Sequence, residues 1–164
     1  MEKKHYKKLV LLLASVSFFL VSCITPPTSE LLEDPSPRQN LSGTSNNVSL
    51  SLDKTTYDLP MQTMTLHLHN AGDTVYTYGE FFYIEKQFED KWHMLEIEDS
   101  VFDDFTSFDN YGSRLGPEDK ADITVILDDY GLTFDVGTYR IVKAFSDEDT
   151  GETTWLAAEF EIID

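Results

Sequence analysis

Short runs of alternating hydrophobic and polar residues fill the chain from residue 48 onwards. In residues 63–69, Met64, Leu66 and Leu68 alternate with threonines and histidines. A period of two is typical of a strand that buries one face. Comparable runs predict strands at 48–52, 63–69, 75–78, 80–88, 92–97, 121–127, 138–145 and 153–163. Seven or eight short strands separated by turn signals favour an all-β, antiparallel β-sandwich for residues 48–164.

Residues 98–114 do not follow this alternation. Phe102, Phe105 and Phe108 recur every three residues among acidic residues. This spacing is compatible with a helical turn or with a loop held by its aromatic side chains. No long helix and no internal repeat is predicted in the chain.

The first 22 residues have the pattern of a secretory signal. Four lysines precede residue 9, and residues 9–21 are thirteen uncharged, mostly apolar residues. As a helix this run is about 20 Å long, whereas the hydrocarbon core of a bilayer is about 30 Å thick. A cleaved signal is therefore favoured over a permanent membrane anchor.

The motif Leu20-Val21-Ser22-Cys23 closes the apolar run and contains the only cysteine of the chain. It resembles the lipobox of bacterial lipoproteins, in which the cysteine sulfur carries a diacylglyceryl group and the signal is cleaved just before it. The resemblance implies cleavage between Ser22 and Cys23 and lipidation of Cys23. Two acyl chains suffice for stable anchoring. We therefore expect a lipid-anchored protein on the extracellular face of the cell membrane, with the membrane as a partner through Cys23.

The segment 23–47 lacks a strand or helix period. It contains four prolines and many serine, threonine and asparagine residues. This composition predicts a flexible linker between the lipidated cysteine and the folded domain. The predicted organisation is thus a signal peptide at 1–22, a linker at 23–47 and one domain at 48–164.

The net charge excludes some partners. The chain has a formal charge of −18, and once residues 1–22 are removed it retains 8 of 12 basic and 29 of 30 acidic residues, a charge of −21. Such a chain is repelled by phosphate backbones, so nucleic-acid binding is not expected. A single cysteine also excludes an internal disulfide. The protein is expected to be a monomer, and no cofactor is predicted.

Three histidines and several acidic clusters are the candidates for metal chemistry. His67 and His69 lie two apart on one strand face, from which both could reach one ion, and His93 lies on a later strand. An exposed polar face is the favoured explanation, because the spacing fixes no acid or cysteine beside the histidines, and no metal site is predicted. The acidic clusters at 103–104, 128–129 and 147–152 could hold Ca²⁺ weakly or be solvated carboxylates.

Catalytic motifs are absent from the sequence. It has no Gly-x-Ser-x-Gly elbow, no His-Glu-x-x-His and no glycine-rich phosphate loop. No catalytic residue is predicted, and the protein is not expected to be an enzyme.

Several segments together resemble a known family. Gly137-Thr138-Tyr139-Arg140-Ile141-Val142-Lys143 is the most telling, and residues 48–57, 66–70, 79–86, 91–92 and 115–118 fit the same order. The order resembles the bacterial immunoglobulin-like (Ig-like) domain of Gram-positive exported lipoproteins, over nearly all of residues 48–164. The resemblance implies an Ig-like β-sandwich without a defined enzymatic activity. Tyr139 would form a tyrosine corner, and Trp92 would pack between the sheets. Glu118 departs from the pattern, because a glycine often follows the proline there.

The resulting hypothesis is a non-catalytic binding or envelope accessory module that contacts an envelope or extracellular protein. Two alternatives remain open. One is a protease-inhibitor-like sandwich that presents the loop at 98–114. The other is an envelope hydrolase that uses two loop carboxylates about 5–10 Å apart.

Overall fold

A computed structural model describes residues 28–97 and 112–164 and shows two β-sheets packed face to face. These residues form eleven strands and one short 3-10 helix, Leu127–Tyr130. The strands are β1 (Thr44–Ser45), β2 (Val48–Leu52), β3 (Thr56–Asp58), β4 (Thr63–Asn70), β5 (Tyr76–Tyr78), β6 (Tyr83–Phe88), β7 (Lys91–Met94), β8 (Ser113–Leu115), β9 (Lys120–Ile126), β10 (Gly137–Asp147) and β11 (Thr153–Ile163). The predicted signal peptide at 1–22 and most of the irregular stretch at 98–114 lie outside the described residues.

The first sheet has the strand order β1-β2-β4-β9, and all its pairs are antiparallel. Its central strand β4 places Leu66 opposite Leu52 of β2 and Ile123 of β9. Because side chains alternate across a strand, this register aligns the apolar residues of neighbouring strands on one face. The predicted alternation in β4 is confirmed, since Met64, Leu66 and Leu68 are buried.

The second sheet is built around β10, which pairs with β11 over residues 137–146. On its other side β10 pairs first with β6 and then with β5. Strand β7 extends the sheet beyond β6, and β8 extends it beyond β5. On the far side of β11, β3 runs parallel to it, so this sheet is mixed rather than wholly antiparallel.

The core lies between the two sheets and is almost entirely apolar. The second sheet contributes Ile84, Ile141, Phe145, Leu156 and Phe160, which meet the buried face of β2, β4 and β9. Burial of a large apolar side chain contributes roughly 1.5–3 kcal/mol. With no disulfide available, this packing is the main source of stability, and the predicted all-β sandwich is confirmed.

The structure has more strands than the seven or eight predicted, because four of the eleven are only two or three residues long. β1, β3, β5 and β8 are these short strands, and the remaining seven have four residues or more. The predicted tight turn between β6 and β7 is present. Glu89 and Asp90 both have positive φ, at 48° and 61°, as a two-residue hairpin with a type I′ turn requires.

The turn before β9 keeps the geometry for which glycine is common. Glu118 has a φ of 59°, the left-handed conformation that glycine adopts without strain. The turn is closed by its neighbours, because the N–H of Gly116 donates to the Asp119 carboxylate at 2.8 Å and the Asp119 N–H donates to the Gly116 carbonyl at 3.1 Å. The departure from the family pattern therefore changes the residue and not the turn.

The flexible linker predicted for residues 23–47 is wrong over residues 29–47. Residues 29–43, which we call the strap, are hydrogen-bonded to the sandwich, and β1 follows directly and pairs with β2. The Leu32 N–H donates to the carbonyl of Met94 at 2.9 Å, and the Ser36 N–H donates to that of Trp92 at 2.7 Å. The strap thus begins by covering the outer edge of β7. Residues 23–27 lie outside the described residues.

The strap then crosses the outer face of the second sheet to its other side. Its end meets both sheets, because the Ser42 carbonyl accepts from Ala157 of β11 at 3.0 Å and the Gly43 carbonyl accepts from Leu50 of β2 at 2.8 Å. A Cβ on Gly43 would lie 3.1 Å from the Leu50 carbonyl oxygen and 3.3 Å from that of Ala157. Little room remains there for a side chain. Composition could not reveal this docking, since prolines and polar residues suit an ordered extended segment as well as a free one.

Candidate functional site

The predicted processing site, Ser22 and Cys23, lies outside the described residues. Within residues 28–97 and 112–164, no helix combines the length and apolar character needed to cross a bilayer. The candidate surfaces in the described part of the chain lie on the two sheets and on the loops that join their strands.

The outer face of the first sheet is polar. His67 and His69 lie on it, as the alternation of β4 predicts. The His67 Nδ1 lies 2.7 Å from Asp122 of the neighbouring strand β9, and the two side chains are 43% and 70% exposed. Ser51 of β2 is the register partner of His67 on the other side. The three residues form a row across the sheet.

The third histidine lies elsewhere. His93 belongs to β7 in the second sheet, is buried, and places its Nδ1 3.0 Å from the carbonyl of Leu32 in the strap. The three histidines therefore do not converge. No group of three or more His, Cys, Asp or Glu side chains within the described ranges is placed to hold a metal ion.

The acidic hairpin tip between β10 and β11 is organised by its own backbone. The Asp147 carboxylate accepts from the N–H groups of Asp149 and Thr150 at 2.9 and 3.0 Å. The hydrogen bond from Thr150 is the main reason that the pKa of Asp147 is lowered from its ordinary value. Glu148 is 2.6 Å from the guanidinium of Arg114. The loop carboxylates thus serve a turn and a surface ion pair.

A buried ion pair lies beneath the strap on the outer face of the second sheet. The Arg140 Nε is 2.5 Å from a Glu85 carboxylate oxygen, and the two side chains are only 1% and 2% exposed. The strap supplies their other partners. The carbonyls of Arg38 and Gln39 accept from the guanidinium at 2.5 and 3.0 Å, and the Ser36 hydroxyl donates to the second Glu85 oxygen at 2.5 Å. Buried charges persist in a fold only with such complete pairing.

Trp92 belongs to this outer layer and not to the core. The prediction that it packs between the sheets is wrong, because the register of β6 and β7 pairs Trp92 with Gln87 and places it on the same face as Glu85. Its ring lies 4.4 Å from the guanidinium carbon of Arg140, a cation–π contact. The tryptophan is buried by the strap and the arginine.

Tyr139 forms the predicted tyrosine corner. Its hydroxyl donates to the Asp135 carbonyl at 3.0 Å and lies 2.5 Å from the Asp135 carboxylate. Burial, followed by this carboxylate, raises the pKa of Tyr139. Burial acts to raise the pKa of Asp135, but the hydrogen bonds from Lys86 and Tyr139 and the lysine charge hold it below its ordinary value. The corner is a structural element of the second sheet.

Lys143 is a buried amine that faces the inside of the sandwich. Its position in β10 has the same parity as the core residues Ile141 and Phe145. The Nζ donates to the carbonyls of Gly79 at 2.5 Å and Phe81 at 3.2 Å. Burial lowers the pKa of Lys143 to about 8. The lysine therefore fastens the segment before β6 to the sheet.

A cleft of about 510 Å³ opens between this fastened segment and the outer face of β10 and β11. The side chains that line it are Thr77, Tyr78, Phe81, Ala144, Ser146 and Trp155. None of these described lining residues carries a charge, although 26% of the chain is charged. The cleft is thus a concave surface whose described lining is uncharged.

The rings beside the cleft are held in a fixed array. The Tyr83 ring stacks on Trp155 with centroids 5.9 Å apart and meets Phe81 edge-on at 4.7 Å. The guanidinium carbon of Arg38, from the strap, lies 4.1 Å from the Trp155 ring centroid. Such contacts each contribute roughly 0.5–1.5 kcal/mol and fix the ring orientation.

The family model of the bacterial Ig-like domain matches residues 44–161. The chain belongs to this bacterial Ig-like domain family. The match begins at β1, four residues before the predicted domain start at residue 48, in agreement with the pairing of β1 with β2. Membership fits a non-catalytic surface or accessory module. A comparison with curated protein sequences finds no match.

Solved structures resemble the chain only distantly. An alkylpurine DNA glycosylase, AlkC, of Pseudomonas fluorescens is 13% identical with a TM-score of 0.38. The match covers 75% of this chain and 32% of the glycosylase. A β-glucosidase of Erythrobacter marinus is 11% identical with a TM-score of 0.33, and the match covers 68% of this chain and 14% of the glucosidase. The archaellum periplasmic stator protein FlaG of Sulfolobus acidocaldarius is 15% identical with a TM-score of 0.35, and the match covers 70% of this chain and 98% of FlaG. The chain spans about a third of the glycosylase and a smaller share of the glucosidase.

Proposed function

We propose that the protein is a membrane-anchored extracellular lipoprotein whose Ig-like domain is a non-catalytic binding or accessory module. The observation that carries the proposal is the order of two features along one chain. A lipobox-like motif at Leu20–Cys23 closes an apolar run of signal length, and an Ig-like domain follows it. A lipid on Cys23 would retain at the membrane a domain whose acidic surface otherwise keeps it in water.

The docked strap makes the anchor short. The Ser29 N–H donates to the Thr133 carbonyl at 3.0 Å, and the Ser29 hydroxyl accepts from the Thr133 N–H at 2.9 Å. Only residues 24–28 then separate Cys23 from the sandwich. Five extended residues reach at most about 18 Å. The end of the domain that carries Thr133 would therefore face the membrane at close range.

The test is the Cys23→Ser variant, expressed from the full-length gene beside the parent. We expect the parent in the membrane fraction with a diacylated mature N-terminus at Cys23 by mass spectrometry. The variant should lose the lipid and leave the membrane fraction when washed with salt. Thr28→Ala, a change of a small polar residue beyond the motif, is the control and should fractionate like the parent. Retention of the Cys23→Ser protein as firmly as the parent would overturn the proposal.

A further inference from the structure

The outer face of β4 brings two imidazoles and one carboxylate to neighbouring positions. His67 and His69 lie two residues apart on this face, so about 6.4–6.8 Å separates their positions along the strand. Asp122 of β9 is the register partner of His67, and its carboxylate lies 2.7 Å from the His67 Nδ1. The register thus supplies the acidic neighbour that the spacing of the histidines along the chain does not fix.

The contact with Asp122 determines which nitrogen of His67 is free. A carboxylate accepts a hydrogen bond from the Nδ1–H of a neutral imidazole, and the lone pair of the Nε2 is then available. Among the described residues, the His67 Nε2 and the His69 imidazole have no hydrogen-bond partner. In metal sites a carboxylate commonly orients an imidazole through one nitrogen while the other nitrogen binds the ion.

The two imidazoles are larger than the side chains beside them on β2. Ser51 is the register partner of His67, and Ser49 is that of His69. The His67 side chain is 43% exposed, so a hydrated ion can reach it from outside the sheet. On β9, Lys120 is the register partner of His69 and opposes a cation, but it is exposed and its flexible stem lets the ammonium turn away.

We propose that His67 and His69 together hold one divalent ion of the Zn²⁺ and Cu²⁺ class, with Asp122 as a positioning residue. Neutral imidazole is a preferred ligand of both ions, and two imidazoles on one strand face form a chelate when His69 turns towards His67. Two ligands make a weaker site than the four of a structural zinc site. This agrees with the finding that no larger group of metal-binding side chains is assembled within residues 28–97 and 112–164.

Carboxylate clusters are the competing site for a cation on this chain. The Asp147 carboxylate accepts from two backbone N–H groups of its own turn, and Glu148 is paired with Arg114. These carboxylates therefore already have partners. Carboxylate oxygens favour Ca²⁺ and Mg²⁺, whereas imidazoles favour Zn²⁺ and Cu²⁺. The identity of the bound ion separates the two kinds of site.

The test uses residues 23–164 with Cys23→Ser, purified without a histidine tag and stripped of metal with a chelator. The substitution removes the one thiol that could itself bind the ion, and the protein contains every described residue. Isothermal titration calorimetry measures binding of Cu²⁺ and of Zn²⁺ in the presence of Ca²⁺ on the order of 5 mM, which saturates carboxylate sites of millimolar affinity. Neither lipid nor membrane is present, so the result is independent of the proposed anchor.

We expect saturable binding of Cu²⁺ with a Kd of about 1–10 µM and of Zn²⁺ about tenfold more weakly, in the order that these ions follow at nitrogen ligands. One ion per chain supports the proposal, and so does one ion per two chains, in which a second copy completes the coordination. His67→Gln and His69→Gln should each weaken binding about tenfold or more, because each removes one of two ligands. Ser51→Ala, on the same face, is the matched control and should bind like the parent.

Asp122→Ala tests the positioning role. It should weaken binding by about tenfold, as the loss of an orienting carboxylate commonly does. Long-range ¹H–¹⁵N NMR of the metal-free protein should show the proton of neutral His67 on Nδ1 in the parent and a shift towards Nε2 in the variant. A carboxylate with only a structural role would leave this tautomer unchanged.

Three results would overturn the proposal. The first is no saturable binding of Cu²⁺ with a Kd below about 1 mM. The second is displacement of the bound ion by the excess of Ca²⁺, which would place it on carboxylates. The third is binding that survives unchanged in the double variant His67→Gln, His69→Gln while far-ultraviolet circular dichroism shows this variant to be folded, because the ion would then lie elsewhere.

Discussion

The outer faces of the two sheets differ in their exposure to solvent. The outer face of the first sheet is in contact with water, with Ser51 and Asp122 exposed and His67 partly exposed. The second sheet buries a full ion pair, Glu85 and Arg140, under the strap. On each face a carboxylate lies within hydrogen-bonding distance of a nitrogen-bearing side chain on a neighbouring strand. The difference is the cover, which removes water and leaves each charge dependent on its protein partners.

The strap also explains how polar side chains on an outer face can be buried without destabilising the fold. Within the described ranges no buried side-chain nitrogen or oxygen lacks a hydrogen-bond partner. In the second sheet several of these partners come from the strap, whose carbonyls at Arg38 and Gln39 accept from Arg140. The position of the strap and the burial of the ion pair therefore depend on each other. The exposed row on the first sheet is held in place only by the pairing of β2, β4 and β9.

The largest expected effect comes from breaking the buried pair. Arg140→Met leaves Glu85 as an uncompensated buried carboxylate and removes the donor to the strap carbonyls. We expect the free energy of unfolding to fall by about 3–5 kcal/mol in urea denaturation. Arg114→Met is the matched control, because it breaks the exposed pair with Glu148 and should cost no more than about 1 kcal/mol.

A double variant sharpens this result. Glu85→Met together with Arg140→Met removes both charges and should recover much of the loss, since apolar residues of similar size often replace a buried ion pair at little cost. If Arg140→Met alone cost as little as Arg114→Met, the strap would not bury the pair in solution, and the contrast between the two sheets would fail.

The second effect concerns Lys143 and depends on pH. Because its folded pKa is lowered to about 8 from 10.5, the unfolded state binds more protons between these values. The sign is therefore that the charged lysine costs stability below pH 8 and that this cost is relieved as the pH rises towards 10.5. The difference in unfolding free energy between the parent and Lys143→Met should shift in favour of the parent by on the order of 2 kcal/mol from about pH 7 to about pH 10.

Lys120→Met provides the comparison on the first sheet. Lys120 is an exposed lysine of β9, and its replacement is the matched control for the loss of one lysine side chain. Thermal denaturation at several pH values gives the stability of the parent, Lys143→Met and Lys120→Met proteins. A parent and a Lys143→Met protein whose profiles stay parallel over this pH range would contradict the lowered pKa of Lys143.

The contrast between the sheets also separates what sequence reasoning could find from what it could not. The alternation over residues 63–69 predicted the inner and outer faces of β4 residue by residue, because one face meets the core and the other meets water. The run Tyr139-Arg140-Ile141-Val142-Lys143 does not alternate in this way, and all five of its side chains are buried. Two long cationic residues inside an apolar strand were the available signal that both faces are covered.

The sequence contains a weaker signal for the docking of the strap. Its docking depends on long-range contacts, such as those of Ser36 with Glu85 and of Ser42 with Ala157, and no local pattern encodes them. Trp92 was placed in the core because a buried tryptophan is expected there, and only the register of β6 and β7 shows that it faces outwards. The cleft likewise needs the spatial meeting of 77–81 with β10 and β11.

The smallest expected effect is at the exposed row of the first sheet. His67→Gln removes the contact with Asp122, whose carboxylate stays solvated at 70% side-chain exposure. We expect the free energy of unfolding to change by less than about 0.5 kcal/mol, since an exposed contact between two side chains contributes little to stability. Urea denaturation at low and high salt measures it. A loss of about 2 kcal/mol or more would mean that this face is covered in solution too, and the two sheets would then no longer differ in the way the structure shows.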